Sequence, residues 1–334
     1  MKTIQLLALI PLTTFALSGF AAELKIGAGP EDGEYNQTIV PAIDAALSES
    51  TDLRASSVIS PGSQANVEQL LAGELSVALV QLDVLALNSA TDENLQVLGL
   101  IAPEALLCAA KEGGKVRSYY NLTDKYADPL VLSIGAPGSG SARTMEFLLS
   151  LDSGINPDKF NLVYESNTLA ELDRLAAGSR DLVCFVRMPN PDNEILKHVV
   201  DNDELFFIDF VNASALEPTY GDEQVYQTML VPVSKGVFGL GAEKVDTLTT
   251  WVALVARSDI DPQLAETLRT IAADPELLPP TTAAGKAKRM YSSAKEKTSE
   301  FTQSAKEKAA DLTAKAKAKA IELKEKVQGA VDTQ

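Results

Sequence analysis

Leu24-Lys-Ile-Gly-Ala-Gly-Pro30 and Leu132-Ser-Ile-Gly-Ala-Pro-Gly138 stand about 108 residues apart, and each opens the same succession of segments. A short apolar run ends in a glycine turn, an amphipathic stretch follows, then a second run, another amphipathic stretch and a third run. Short apolar runs bounded by turn residues read as buried strands, and stretches with apolar residues every three or four positions read as helices. Strands are expected at 24–26, 55–59 and 77–81 in the first copy and at 131–134, 162–164 and 182–186 in the second. Helices are expected at 37–47, 64–72, 142–151 and 169–177, with later strands at 205–211, 226–233 and 248–257 and a helix at 262–273. Such alternation gives a mostly parallel sheet with helices on its faces. Two copies of one βαβαβ unit predict an α/β clamshell of two similar lobes.

Outward from this body, the ends differ in kind. Lys2 precedes a mostly apolar stretch at 4–20, and Gly19-Phe20-Ala21 offers the small residues that signal peptidase reads. The run is short and contains Pro11, so residues 1–21 are expected to be a cleaved signal rather than an anchor. A mature chain would then begin at Ala22 in the periplasm. At the other end, 279–282 reads as a boundary, and residues 286–328 lack proline and glycine. Met290, Phe301, Leu312 and Leu323 are spaced by eleven, and Ser-Ala-Lys-Glu-Lys occurs at 293–297 and 304–308. Eleven residues make almost three helical turns, which keeps these positions on one face. Residues 281–334 are therefore expected to form one long amphipathic helix. A solvated spacer, self-association through the apolar stripe and contact with the envelope all remain open for it.

The charge is unevenly placed. Residues 1–280 carry 17 Lys and Arg against 39 Asp and Glu, a net of −22, whereas 281–334 carry a net of +5. An acidic body argues against nucleic acid or an anionic membrane as partner. Any bound anion must be held by local donors.

Ligands of open α/β sheets collect beyond the carboxyl ends of strands, where loops lead into helix N-termini. Three such turns stand out: 27–35, 60–63 and 135–143. Each combines glycines with side-chain donors and feeds a helix whose first amides are unpaired and partly positive, a setting that suits a carboxylate. Ser60 and Ser139 also read as plain N-caps. Arg143 lies in the first turn of a helix, where positive charge is unfavourable, and Arg187 ends a strand at the expected cleft rim. Both are candidates for two-donor contacts to a carboxylate, with a surface ion pair as the alternative. Gln81 ends the third strand and adds a neutral donor.

Catalytic readings fare worse. His198 is the only histidine and lies in an ordinary helical stretch. Residues 27–33 read GxGxxxG, which misses the dinucleotide spacing, and 137–141 lack the lysine of a phosphate loop. No enzyme activity, cofactor or metal is expected.

The motifs also resemble a known family. Leu24-Lys-Ile-Gly-Ala-Gly-Pro30 with Gly33-Glu-Tyr35, then Pro61-Gly-Ser-Gln-Ala-Asn66, Gly73-Glu74 and Val80-Gln-Leu-Asp83, resemble the opening of TAXI-type solute-binding subunits of TRAP transporters. The segments 134–140, 188–191 and 252–259 resemble that family's second glycine turn, its Pro-Asn segment and its late strand, so the likeness spans roughly 24–275. It implies a two-lobed, type II periplasmic binding fold. Lobe 1 would comprise 22–105 and 235–280, and lobe 2 would comprise 106–234. It further implies capture of a small organic anion, such as glutamate, 2-oxoglutarate or another dicarboxylate-like acid, and delivery to a TRAP-type permease. A ligand-sensing protein that signals to a membrane receptor kinase is the alternative. The implied cleft residues are Tyr35, Ser63, Asn66, Gln81, Ser139 and Ser141. Arg187 departs from the family's small or apolar residue, and the repeat-bearing tail is not a usual family feature.

Cys108 and Cys184 are the only cysteines and belong to no CxxC pair. Two buried thiols are one reading. The implied fold offers another, because the strand entering lobe 2 would lie antiparallel beside that lobe's third strand and bring the two within disulfide reach.

Overall fold

The computed structural model describes residues 22–297, apart from 89–92, 125, 127, 237–240, 280, 281, 283 and 296. The expected signal at 1–21 and most of the tail, with Phe301, Leu312 and Leu323, lie outside the described residues.

The first unit runs β1 (Ala22–Gly27), α1 (Val40–Ser50), β2 (Leu53–Val58), α2 (Ser63–Leu71), β3 (Val77–Gln81) and α3 (Leu82–Leu87). One π turn at Tyr35–Ile39 leads into α1, and Pro41 sits in that helix's first turn, where a missing amide proton does no harm. After β4 (Leu95–Lys111) the second unit runs β5 (Leu130–Ser133), α4 (Gly140–Leu151), β6 (Phe160–Val163), α5 (Thr168–Ala176) and β7 (Leu182–Arg187). Side chains cap its helices, with Ser139 accepting from the Ala142 amide and Asn167 from that of Ala170. Then follow α6 (Glu194–Val200), β8 (Leu205–Ile208), the short β9 (Thr219–Tyr220) and β10 (Glu223–Gln224), β11 (Gln227–Pro232), β12 (Lys244–Arg257), α7 (Pro262–Ala273) and a final helix at 284–295.

The two units are built alike. β1 lies between β2 and β3, all parallel, and β5 lies between β6 and β7, all parallel. All five residues of β3 are buried, as befits a parallel strand covered on both faces. Each third strand is then flanked by a long antiparallel one, β3 by β12 and β7 by β4. β4 and β12 also pair with each other, so the order β2-β1-β3-β12-β4-β7-β5-β6 is continuous within a 10-stranded sheet. The fold is an α/β type II two-lobed clamshell, and these two strands are the crossings between its lobes.

Separate cores mark the lobes. Ile26, Ile39, Ile43 and Leu79 pack with Leu254 and Leu268 in the first, while Leu132, Met145, Leu148 and Leu182 pack with Phe210 and Tyr226 in the second. β12 belongs to both. Val245 and Leu248 pack into the second lobe, and 252–256 pair with β3 in the first. The return crossing thus falls inside β12, later than the expected residue 235, because one long strand spans the hinge.

Cys108 and Cys184 face each other across β4 and β7 and form a disulfide that closes a 76-residue separation. Helix 284–295 docks on the first lobe and reaches β10 at its far end. Ala284 and Lys288 are buried, and the Lys288 ammonium donates to the carbonyls of Leu100 and Ala272 at 2.6 and 2.7 Å. Tyr291 packs on Trp251 at 4.6 Å between ring centroids and donates to Glu223. Met290, the first position of the eleven-residue repeat, is 74% exposed and faces away from the body.

Candidate functional site

The glycine turns of both lobes wall a single cleft of about 540 Å³, within the range of small-molecule sites. Residues 29–35 and 59–63 form its first-lobe side, residues 135–141 and 165–168 with the end of β7 form the other, and Gln81 and Glu104 line it from β3 and β4. The lobes touch around it. The Ala65 amide donates to the Gly138 carbonyl at 3.4 Å. A Cβ on Gly62, whose φ is +136°, would sit 3.3 Å from the Gly140 amide nitrogen. A Cβ on Gly140 would collide with the Gln81 side chain. Glycine is what allows these turns to close to this distance.

Of the eight residues named from sequence, Tyr35, Ser63, Gln81, Ser139, Ser141 and Arg187 line the cleft. Two do not. Asn66 is fully buried behind the wall, its amide donating to the carbonyls of Ala28 and Leu79 and its carbonyl accepting from Ser60. A buried amide needs all its bonds met, so Asn66 braces the turn and has none left for a solute. Arg143 is half-buried, pairs with Glu146 one turn on at 2.6 Å and is not among the residues that line the cleft. The surface ion pair is the reading that holds for it. His198 lies 3.1 Å from Asp173 and does not line the cleft.

The side chains that do line the cleft are partly committed. The Ser63 hydroxyl accepts from the Gln81 amide and donates to the Gln81 side chain, both at 3.2 Å. Ser139 accepts from Ala142 at 3.2 Å and Ser141 from the Val186 amide at 2.9 Å, which leaves both hydroxyl protons to donate. Arg187 meets Glu34 at 3.4 Å across the lobes, and Asn193 donates to the same carboxylate at 3.3 Å.

Sequence reasoning passed over the cleft's acids. Glu31, Asp32, Glu34, Glu104 and Glu165 line it, against Arg187 as its one guanidinium among the described residues. Glu104 is 5% exposed, and its Oε2 accepts from the Tyr35 hydroxyl at 3.0 Å. Burial first, then the Glu34 charge, pushes its carboxyl up to about 8. Burial and the adjacent Glu104 also raise the Tyr35 hydroxyl. A signal existed, since Glu104 is the one charge in the apolar run 97–110. Asp83 was missed as well. Fully buried, it accepts from Thr144 and Tyr226 of the second lobe, and burial raises its carboxyl.

Among the described residues no group of His, Cys, Asp and Glu is placed to hold a metal, and no helix is long and apolar enough to cross a membrane. Two lobes closing on a cleft of mixed donors and acceptors have the build of a type II periplasmic-binding fold. The chain belongs to the NMT1-like family, whose model matches residues 26–273. No curated protein matches the sequence. Among solved structures, a Xanthomonas citri protein bound to ATP is similar at 12% identity, covering 76% of this chain and 85% of that one with a TM-score of 0.47. A binding-protein component of a phosphonate ABC transporter from Pseudomonas aeruginosa is similar at 13% identity, with coverage of 75% and 74% and a TM-score of 0.47. A mutant of ArgBP from T. maritima is similar at 9% identity, with coverage of 75% and 87% and a TM-score of 0.45.

Proposed function

We propose that the chain is exported to the periplasm, captures a small organic acid between its lobes without altering it chemically, and delivers it to a TRAP-type permease. The observation that carries this reading is the convergence of two matched glycine turns, one from each lobe, on one cleft. The TRAP assignment rests on the likeness of 24–35, 61–83 and 134–140 to TAXI-type subunits, and export rests on the charged and apolar leader. The solute's acceptor end is met by the free hydroxyl protons of Ser139 and Ser141 and by backbone amides at the cleft-facing turns, in place of a free guanidinium. That arrangement fits an acidic protein, because oriented amides and hydroxyls hold an anion without adding formal charge.

A thermal-shift screen of the mature protein against glutamate, 2-oxo acids and dicarboxylates tests the reading. A true ligand at a hundred times its Kd adds about 2.7 kcal/mol of stability and raises the midpoint accordingly. If every organic acid leaves the midpoint unmoved, the organic-acid assignment is lost.

A further inference from the structure

The cleft is more acidic than an anion's site needs to be. Its one guanidinium, on Arg187, is already opposite Glu34. Glu104 stands apart from the other four carboxylates. It lies on β4 opposite Thr250 of β12, where the two crossing strands run side by side, and 95% of its surface is removed from solvent. Its Oε2 has the Tyr35 hydroxyl, while its Oε1 lines the cleft with no protein partner. A nearly buried acid group with one oxygen unpaired inside a cleft leaves a polar position for a ligand to complete.

We propose that Glu104, backed by Glu34, is the subsite for a positively charged nitrogen of the solute, whose opposite, acceptor end lies against the hydroxyls of Ser139 and Ser141. This rests on the solute-capture function above and narrows its cargo to molecules that carry an ammonium as well as an acid group. The first lobe then holds the cation, the second holds the anion, and only a solute bearing both bridges the closed cleft.

The arrangement has a proton signature. The charged and titratable groups that face Glu104 are Glu34 and Tyr35 from the loop before α1, Asp83 from α3 and Arg187 from β7. With the cleft empty, burial and Glu34 keep Glu104 protonated at neutral pH. An arriving ammonium favours the carboxylate, so Glu104 releases its proton to solvent as the ion pair forms.

The experiment is isothermal calorimetry on the full mature protein at pH 7, in two buffers of different ionisation enthalpy. The probes are α-amino acids paired with the 2-oxo acids of the same side chain: L-alanine and pyruvate, L-leucine and 4-methyl-2-oxopentanoate, L-glutamate and 2-oxoglutarate. The amino member of at least one pair should bind tenfold or more tightly than its oxo partner, with release of close to one proton. Glu104→Gln should erase at least about tenfold of that preference. An oxo acid that binds as well as its amino partner, with no proton released, overturns the ammonium subsite and leaves solute capture standing. Failure of both series to bind overturns the organic-acid reading together with it. The proton count on the unsubstituted protein decides the matter even if the variant does not fold.

Discussion

Glu104 and Arg143 show how little a side chain's charge says about its work until its direction is known. Arg143 was conspicuous because a cation beside a helix N-terminus is unfavourable, yet it points away to Glu146. Arg143→Ala should therefore leave solute affinity within about twofold, since the side chain pairs with Glu146 and does not line the cleft; a calorimetric titration of the variant checks this. Glu104 was inconspicuous and sits in the cleft. Its carboxyl titrates near 8 in the folded chain and near 4.5 when unfolded. Between those values the folded state holds a proton that the unfolded state gives up. Stability is thus greatest below about pH 4.5, on this group's account, and falls as pH rises towards 8. Glu104→Gln has no such proton and should gain on the natural protein by a few kcal/mol, to order of magnitude, between urea midpoints at pH 5 and pH 8.5.

At the level of elements, the repeated βαβαβ pattern was legible because each unit opens with a short apolar run that ends in a glycine turn and passes into an amphipathic stretch. Expected and observed strands agree to within a few residues, and β3 coincides at both ends. The first half of β4 was not read as strand. Gly99 and Pro103 look like punctuation in sequence, but the register of β4 on β12 shifts twice nearby and accommodates them. Cleft residues that follow strand ends, such as Gln81 and Ser139, were legible from position. Asn66 was not, because only packing reveals that its amide is spent on the Ala28 and Leu79 carbonyls. Helix 284–295 gives this scale its prediction. Tyr291→Ala removes the contact with Trp251 and the bond to Glu223, and should cost about 1–3 kcal/mol in urea denaturation. Met290→Ala, one residue away and exposed, should stay within about 0.5 kcal/mol.

For the whole molecule, the lobes are joined through β4 and β12 and through contacts around the cleft, Glu34 with Arg187 and Asp83 with Thr144 and Tyr226. The disulfide lies on the second-lobe side of this hinge, joining β4 to β7. Cross-linking residues so distant in sequence restricts the unfolded chain, and replacing both cysteines by serine should cost about 2–5 kcal/mol. Equal thermal midpoints with and without reductant, under conditions where alkylation proves the thiols free, would contradict that.

The path of the backbone also dictates an order of assembly. β3, at the heart of the first lobe, finds its antiparallel neighbour only in β12, roughly 170 residues later in the chain. Everything that makes the second lobe must be synthesised in between, so the half begun first is the half finished last. A nascent chain stopped before β12 holds an unpaired, mostly apolar strand edge, the kind of surface that a holding chaperone or a translocation channel would need to shield.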